Sequence, residues 1–507
     1  IAKMAEQGYF GVLFPEEYDG LGLDNITMTI VAEELSRGWL SVGSVMTRGV
    51  IMGTLLQAHG TDEQKKKYLP GLAMGEVLPA AAFTEPDSGS DSASMIMKAT
   101  KTDGGYLLNG AKAWCTYANR ANVLMVLART NPDTSLRHKG LSMFFVEKES
   151  AEKIVHPNIQ GEPIPTVGYH GMRSYNLAFE DLFVPDEGLL GGEENKGFYQ
   201  LMVSYESARL QTAARAVGVA TAAFDFALQY SKERVQGKSF QGDGKLSTES
   251  KAIISHPDIR RNLLEQKSFI EGARALTFWT ALLLERGTRL SDKKALGLAS
   301  LLTPVIKAYT SDIGFNMTIV GQQIFGGHGY IEEWGMSQIV RDSRIAMIYE
   351  GANGVQAIDL IGRKLNSDGG ANILYLCELV KTFIKEKSAM GDLETDFLTP
   401  LKSSFQDLEE ALKFFLENGI KNPNSALAGA SDFLHLLGTF CTGFMWAKMV
   451  ASLLEKKDSS EAGKNFKYAK IITGKFYMEN ILPKTSYLAI KIKAGDKTIM
   501  SLEKDQF

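Results

Sequence analysis

The spacing of hydrophobic residues changes along this chain, and each change predicts a different kind of structure. Over residues 1–77, apolar positions recur at helical spacing, as in residues 27–37 (TMTIVAEELSR). Residues 61–69 (TDEQKKKYL) begin with a Thr/Asp pair, which is a typical signal for the start of a helix. The first part of the chain is therefore predicted to be helical.

The hydrophobic pattern differs over residues 78–190. There, short runs of alternating apolar and polar residues are separated by turns rich in Gly and Asp. Examples are residues 106–113 (YLLNGAKA), 123–129 (VLMVLAR) and 141–146 (LSMFFV). Short strands divided by such turns are typical of an antiparallel barrel or sandwich.

Long helical patterns return after residue 190, for example over residues 198–228 and 300–320. Residues 366–370 (NSDGG) have the composition of a linker. Beyond them, the pattern indicates three or four amphipathic helices without a recognisable chemical motif. We therefore predict an α+β chain of four parts: helices (1–77), a β-domain (78–190), a helical bundle (191–365) and an appended helical domain (371–507).

The composition narrows the possible functions. A chain of 507 residues is too long for one hydrophobic core, and its net charge of −4 without a basic run argues against nucleic-acid binding. Three widely spaced cysteines form no disulfide framework or zinc motif, which favours a reducing compartment. No apolar stretch approaches the ~20 residues of a membrane span, so none is expected.

The chain begins with Ile1, inside a helical pattern, and we expect that its true N-terminus is missing. A targeting peptide would then escape notice. A bacterial cytoplasmic location is expected, and a mitochondrial matrix location stays open.

Two candidate ligand-binding motifs lie in the predicted β-domain. Residues 83–91 (FTEPDSGSD) form a turn-rich segment whose hydroxyls and backbone N–H groups suit a polar ring edge or a phosphate. A plain surface turn is the alternative. In residues 112–116 (KAWCT), strand geometry would put Trp114 and Thr116 on one face, ready to stack on a flat ring and bond its edge. A core tryptophan is the alternative there.

Two further motifs lie in the predicted helical bundle. Residues 322–330 (QQIFGGHGY) carry three glycines within four positions, which allow close approach of a ligand or a plain turn between helices. No strand precedes them, so they are not a dinucleotide-binding fingerprint. In residues 348–356 (IYEGANGVQ), Glu350 could lie in a dry pocket that raises its pKa toward that of a base. An exposed glutamate at a helix N-terminus is the alternative.

These four motifs, in this order, resemble those of the acyl-CoA dehydrogenase family over about residues 5–364. The resemblance implies a helical domain, a β-barrel domain and a C-terminal four-helix bundle. It also implies an FAD cofactor and an acyl-CoA substrate.

The resemblance implies roles for residues of the β-domain. Phe83 and Thr84 would line the pyrimidine side of the flavin. Trp114 would pack on the isoalloxazine, and Thr116 would reach its N5 edge. Ser90 would contact the CoA part of the substrate.

It likewise implies cofactor contacts from the helical bundle. Gln323, Gly326 and Gly327 would hold the ADP half of FAD, from the neighbouring subunit. Arg234, in residues 233–238 (ERVQGK), would pair with the FAD diphosphate.

Glu350 matches the catalytic base of the family, which takes the α-proton while the β-hydride passes to flavin N5. The Glu350 backbone N–H and a ribityl hydroxyl would stabilise the thioester oxygen. Arg209 and Gly351 would contact the substrate. Some branches carry the base on an earlier helix directly before an arginine, but that position here is Ala208, and Glu206 lies two residues away on another face.

Two departures from the family pattern concern the flavin. The common Arg-x-x-Phe-Gly-Lys element is shortened to residues 234–238 (RVQGK), and Ala352 replaces the usual threonine. The shortened element and the extra C-terminal helices resemble a bacterial branch that includes 3-methylmercaptopropionyl-CoA dehydrogenases. His256, directly before Pro257, is interpreted as a residue at the start of a helix rather than as a second acid or base.

Several alternatives stay open at this point. Arg37 and Ser41, one helical turn apart, or Arg48 could bind a distal carboxylate as in glutaryl-CoA dehydrogenases, although an arginine on a helix surface is the simpler interpretation. An acyl-CoA oxidase is another possibility. A DNA-associated alkylation-response flavoprotein is a third, against which the net charge argues. By analogy we expect a homodimer, and electron transfer to an electron-transferring flavoprotein.

Overall fold

The computed structural model describes residues 1–240, 244–419, 421–456 and 460–507. The chain divides into two compact units, Ile1–Gln211 and Thr212–Phe507.

The first unit begins with helices, as the hydrophobic spacing predicted. They are α1 (Ala2–Glu6), α2 (Asn25–Gly38), α3 (Leu40–His59) and α4 (Asp62–Ala73). Thr61 and Gln64 form a reciprocal capping box at the start of α4, where each side chain accepts from the backbone N–H of the other. The N-cap predicted at Thr61 is confirmed.

A seven-stranded sheet follows the helices. Its strands are β1 (Pro79–Ala82), β2 (Lys98–Thr102), β3 (Gly105–Thr116), β4 (Val123–Arg129), β5 (Leu141–Glu147), β6 (Ile159–Pro163) and β7 (Ser174–Pro185). They form a half-barrel in the order β1-β4-β2-β3-β7-β6, and β5 pairs with β4.

The expectation of a purely antiparallel sheet is wrong, because β1 and β4 pair in parallel, from Pro79 opposite Val123 to Ala82 opposite Val126. A parallel pair needs a long crossover connection. The 40 residues between Ala82 and Val123 provide it, and they contain the segment 83–91 as well as the hairpin of β2 and β3.

Strand β4 is buried at every position, since it separates two hydrophobic cores of the first unit. Leu124 and Val126 belong to the core inside the half-barrel. Met125 and Leu127 belong to a second core, shared with residues of α3 and α4. Alternate side chains of a strand point to opposite faces, so one apolar strand serves both cores.

Helix α5 (Gly197–Glu233) begins in the first unit and ends in the second. The second unit continues with α6 (Pro257–Arg289), α7 (Lys293–Ile324), α8 (Met336–Ser343), α9 (Asn353–Asp359), α10 (Ala371–Lys387), α11 (Gly391–Leu393), α12 (Thr399–Asn418), α13 (Pro423–Ala428), α14 (Ala430–Glu455), α15 (Glu461–Asn480) and α16 (Lys484–Ala494).

The interpretation of His256 as a residue at a helix start is confirmed. It is the N-cap of α6, Pro257 is the first helical residue, and the His256 Nε2 atom lies 2.7 Å from the carbonyl oxygen of Gln236.

The segment after residue 370 contains more helices than the three or four expected. Helix α14 is not amphipathic, because most of its side chains are buried. By length and composition it could also cross a membrane, contrary to the sequence-based expectation, and it is the one such helix among the described residues. Since 78% of its most apolar window is buried within the protein, a core helix accounts for it.

Candidate active site

A buried ion pair shapes the segment that the resemblance assigns to the flavin. Lys112 Nζ lies 2.9 Å from Glu85 Oε1 and 3.0 Å from the carbonyl oxygen of Phe83. Glu85 also accepts hydrogen bonds from the backbone N–H groups of Ile96 and Met97. Burial lowers the pKa of Lys112, and the Glu85 carboxylate opposes that effect. The pair thereby ties residues 83–85 to strand β3.

We expect Lys112→Met to lower the free energy of unfolding by about 3–5 kcal/mol, because it leaves the Glu85 carboxylate buried without its cation. Chemical denaturation monitored by fluorescence measures this loss. Lys101→Met is the matched control, since the Lys101–Asp186 pair on the same sheet is about half exposed and should contribute about 0–1 kcal/mol. Equal losses in the free energy of unfolding for the two variants would contradict the claim that burial makes the Lys112–Glu85 pair the more important one.

The same segment presents the other residues predicted for this side of the cofactor. It leaves β1 directly, as a turn-rich loop should, and the carbonyl oxygen of Thr84 accepts a hydrogen bond from the Ala113 N–H at 2.8 Å. Phe83 and Thr84 are half-buried, whereas Ser90 is exposed. These positions leave Ser90 accessible to a ligand.

Trp114 lies at an irregularity of strand β3. The pairing with β7 shifts register between Lys112 and Cys115, and Trp114 has φ = 58°. Its side chain is 57% exposed, whereas Cys115 is fully buried. Thr116, two positions further, lies 3.0 Å from Ser174 through the side-chain oxygens. The bulge therefore turns a large aromatic ring outward beside a hydroxyl group.

Glu350, in the second unit, has an unusual backbone conformation. It precedes α9, with φ = 54°, and Gly351 has φ = 87°. A non-glycine residue in this region costs on the order of 1–3 kcal/mol, and the surrounding contacts must hold it. Lys307 Nζ lies 2.7 Å from the Gly351 carbonyl oxygen, and Gln356 Nε2 lies 3.1 Å from the same oxygen. Both side chains are completely buried.

The Glu350 side chain is held by two residues of α5. Arg215 Nη2 lies 3.1 Å from Glu350 Oε1, and Thr212 Oγ1 donates to Oε2. Arg215 also donates to Thr212 Oγ1 at 2.8 Å, and its guanidinium lies 5.1 Å from the Tyr349 ring centroid. The exposed fraction is 0% for Arg215 and 11% for Glu350.

The alternative of an exposed glutamate at a helix N-terminus is wrong, because the Glu350 side chain is only 11% exposed. Its burial agrees with the dry pocket suggested by the sequence, but a guanidinium and a hydroxyl contact the carboxylate there. The sequence interpretation missed Arg215 and Thr212. The sequence feature that could have revealed them is a Thr-x-x-Arg spacing within an apolar helical segment, because this spacing puts both side chains on one helix face.

Helix α5 also carries the earlier position at which some family branches have their base. Ala208 is buried there and has no titratable group. The next residue, Arg209, is 7% exposed, and its guanidinium lies 5.6 Å from the Tyr205 ring centroid. That position therefore offers no competing carboxylate.

The simpler interpretation of Arg37, an arginine on a helix surface, is confirmed, and the single helical turn assumed between Arg37 and Ser41 is wrong. Arg37 is in α2 and Ser41 is in α3, because Trp39 between them adopts an extended backbone that ends α2. Arg37 is largely exposed beside Glu34. Arg48 on α3 is different: it is 7% exposed, and its Nε has no hydrogen-bond partner among the described residues.

The glycine-rich turn after α7 is open to a ligand. Gly326 has φ = 57°, and a Cβ atom placed on Gly326 or Gly327 would meet no atom within 4 Å among the described residues. Gln323 and Arg234, also assigned to the cofactor, are exposed. This turn lies between helices, as the glycine spacing allowed.

Four aromatic rings support this turn. The Tyr230 and Phe325 rings stack at 4.3 Å between centroids, and the His328 and Trp334 rings stack at 4.8 Å. The Tyr230 hydroxyl lies 2.9 Å from His328 Nδ1. Sequence inspection did not single out this cluster.

Each unit, taken by itself, offers groups that suit part of an FAD cofactor. The first unit offers an outward-facing indole beside a hydroxyl, which suits a flat ring with a polar edge. The second offers an uncrowded glycine backbone at residues 326–327 and an exposed arginine, Arg234, which suit a dinucleotide with a diphosphate.

Comparison with known proteins agrees with this fold. Four family descriptions match in chain order: "Acyl-CoA dehydrogenase, N-terminal domain" (residues 1–76), "middle domain" (80–182), "C-terminal domain" (195–365) and "Acetyl-CoA dehydrogenase C-terminal like" (376–503).

Individual relatives cover different shares of the chain. A (2S)-methylsuccinyl-CoA dehydrogenase of Cereibacter sphaeroides is 41% identical over 72% of this chain, which spans 63% of that protein. A 3-methylmercaptopropionyl-CoA dehydrogenase of Ruegeria pomeroyi is 31% identical over 96% of the chain and 83% of its own length. A Bacillus anthracis acyl-CoA dehydrogenase, solved with FAD, shares the fold over 99% of this chain and 82% of its own (TM-score 0.80, 24% identity).

The fold and these matches define an FAD-dependent oxidoreductase of acyl-CoA thioesters. The chain belongs to the acyl-CoA dehydrogenase family, and it includes the extra C-terminal domain.

Proposed function

We propose that this protein oxidises an acyl-CoA thioester to the trans-2-enoyl-CoA, with Glu350 as the base that removes the α-proton. One observation carries the assignment of the base. A nearly buried carboxylate is held at a strained backbone position, and charged and polar side chains fix both its main chain and its side chain. Such strain is concentrated at functional sites.

Each contact of Glu350 has a use in proton abstraction. The Arg215 guanidinium and the Thr212 hydroxyl hold the Glu350 carboxylate in one conformation. The side chain therefore need not change rotamer before it takes the proton. The peptide held by Lys307 and Gln356 fixes the direction of the Glu350 backbone. By the family resemblance, the backbone N–H of Glu350 binds the thioester oxygen as negative charge develops on it.

The cofactor contacts remain proposals by resemblance. Thr84, Trp114 and Thr116 would hold the flavin ring, and Gly326 and Arg234 would serve the ADP half and the diphosphate. When bound, FAD supplies the acceptor for the hydride that leaves the β-carbon.

A second candidate is an acyl-CoA that carries a carboxylate. Arg48 favours it, because a buried guanidinium whose Nε finds no partner in the described part of the chain suits an anionic ligand. The methylsuccinyl-CoA dehydrogenase that is 41% identical to this chain acts, by its name, on such a thioester. Arg37 is less favoured, because it is exposed and pairs with Glu34 on the surface of α2.

Anaerobic bleaching of the bound flavin by a panel of acyl-CoAs tests both proposals. We expect bleaching by at least one of butyryl-, 3-methylmercaptopropionyl-, glutaryl- and (2S)-methylsuccinyl-CoA. If the second candidate is correct, Arg48→Met lowers kcat/KM for the dicarboxylyl substrates by about 10²-fold, as expected when a buried charge pair is broken. Butyryl-CoA turnover should change little.

Arg37→Met is the matched control and should behave like the wild type with every substrate. Bleaching by none of the four thioesters would contradict the main proposal. Equal effects of Arg48→Met on charged and uncharged substrates would remove the second candidate. Hydrogen peroxide formation without an added acceptor would indicate an oxidase.

Three further expectations stay predictions: transfer of electrons to an electron-transferring flavoprotein, a homodimeric assembly and a cytoplasmic location.

A further inference from the structure

A chain of polar contacts begins in the C-terminal helical module, which we define as residues 371–507. His435 of α14 places its Nε2 atom 2.9 Å from Asp312 Oδ2 on α7. Both side chains are about four-fifths buried, with exposed fractions of 23% and 20%. Helix α14 thus contacts a helix of the bundle through a charged group rather than through apolar packing alone.

Asp312 also contacts Asn353, the first residue of α9. Its Oδ1 atom accepts a hydrogen bond from Asn353 Nδ2 at 2.6 Å, and the same amide nitrogen lies 2.9 Å from Ser311 Oγ. Asn353 Oδ1 accepts from Lys307 Nζ at 2.8 Å. The amide orientation is well determined, since its nitrogen faces a carboxylate and its oxygen faces an ammonium group.

The chain of contacts ends beside Glu350. The Lys307 ammonium that binds Asn353 also binds the Gly351 carbonyl oxygen at 2.7 Å. Gly351 has φ = 87°, and it is the immediate neighbour of Glu350, whose own φ is 54°. The peptide that sets the direction of Glu350 therefore depends on Lys307, and the position of Lys307 depends on Asn353.

We propose that His435 is a positioning residue for Glu350, so that the C-terminal helical module supports catalysis rather than only covering the bundle. The inference rests on the proposed role of Glu350 as the base. His435 holds one oxygen of the Asp312 carboxylate, and this leaves the other oxygen aimed at Asn353.

Without the His435 donor, a carboxylate that is one-fifth exposed can rotate toward water and release the Asn353 amide. Lys307 then loses an oxygen partner that holds its ammonium group beside the Gly351 carbonyl oxygen, and the strained turn at residues 350–351 loosens. A displacement of about 1 Å at the base can cost 10²-fold in rate.

The test compares His435→Leu with His435→Gln in the full-length, flavin-loaded enzyme. Leucine removes the donor at similar volume, whereas glutamine keeps an N–H at a similar reach. With an acyl-CoA that bleaches the flavin, His435→Leu should lower kcat by about 10–10²-fold and leave KM and flavin content nearly unchanged. The kinetic isotope effect with the α-deuterated thioester should rise, because proton abstraction becomes more rate-limiting.

His435→Gln should restore kcat to within about threefold, and Asp312→Asn should resemble His435→Leu. Lys491→Met is the control, since it breaks an ion pair with Asp432 elsewhere in the same module and should not change kcat. A normal kcat and isotope effect in His435→Leu would overturn the inference. The inference would also be overturned if His435→Gln did not restore kcat and the loss of kcat simply followed the loss of thermal stability.

The outcome for Glu350 is separate. If Glu350→Gln is inactive while His435→Leu is normal, the inference fails and the proposed base stands. If Glu350→Gln is active, the proposed base itself is wrong, and the inference falls with it.

Discussion

Glu350→Gln is expected to fold and to retain its yellow cofactor, while the rate of α,β-dehydrogenation falls by at least ~10³-fold. Glutamine has nearly the shape of glutamate. Its Oε1 can still accept a hydrogen bond from Arg215 while its Nε2 donates to Thr212 Oγ1, but it cannot take a proton. The measurement is stopped-flow reduction of the flavin under anaerobic conditions, which isolates the chemical step from reoxidation.

Glu206→Gln is the matched control for this experiment. Glu206 lies on α5, two residues before the position that carries the base in other branches of the family, and its replacement should leave the rate within about threefold of the wild type. Near-normal flavin reduction in Glu350→Gln, or a collapse in Glu206→Gln, would contradict the assignment of the base.

Arg215→Met should combine a large loss of stability with a large loss of rate. It leaves the Glu350 carboxylate nearly buried without its cation, and breaking such a pair lowers the free energy of unfolding by about 3–5 kcal/mol. The carboxylate then turns toward water, and we expect kcat to fall by about 10²-fold or more. Denaturation curves and flavin-reduction kinetics measure the two effects.

The double variant Arg215→Met/Glu350→Gln decides whether the two side chains stabilise each other. Because the buried charge imbalance is absent when both groups are neutral, its loss of stability should be clearly smaller than the sum of the two single losses. Strict additivity would mean that the pair contributes nothing. Arg215→Lys should fall between wild type and Arg215→Met, since a lysine keeps the charge but not the planar set of donors.

Much of the local structure follows from short-range physical rules. The capping box at Thr61 and the helix start at His256-Pro257 could be predicted because a few adjacent residues decide whether the first backbone N–H groups of a helix find acceptors. The turn-rich segment after β1 could be predicted for a similar reason. The succession of helical, β and helical parts followed from hydrophobic spacing.

The order of four motifs was enough to recognise the family and its cofactor. It also singled out Glu350, but only by resemblance, because neither burial nor partners can be inferred from a Glu-Gly pair in the sequence. The Thr-x-x-Arg spacing shows that Thr212 and Arg215 share a helix face, but nothing in the local sequence indicates that Arg215 contacts Glu350, 135 residues away.

Two corrections show the same limit. Helical spacing placed Arg37 and Ser41 on one face, yet the extended backbone at Trp39 separates them into two helices. Alternating strands indicated an antiparallel sheet, yet a long crossover lets β1 pair in parallel with β4. In both cases, packing between distant segments outweighed the local preference.

Residue spacing and turn chemistry thus predicted which helices, strands and turns form, since these depend on neighbours within about one helical turn, and the resemblance of four motifs supplied the candidate site residues. Only the folded chain revealed what surrounds the candidate base: an arginine and a threonine from α5, a lysine from α7 and, through Asp312 and Asn353, a contact with a histidine of the C-terminal module. Those partners meet because hydrophobic burial brings whole helices together, and the contacts of one particular glutamate are a consequence of that packing.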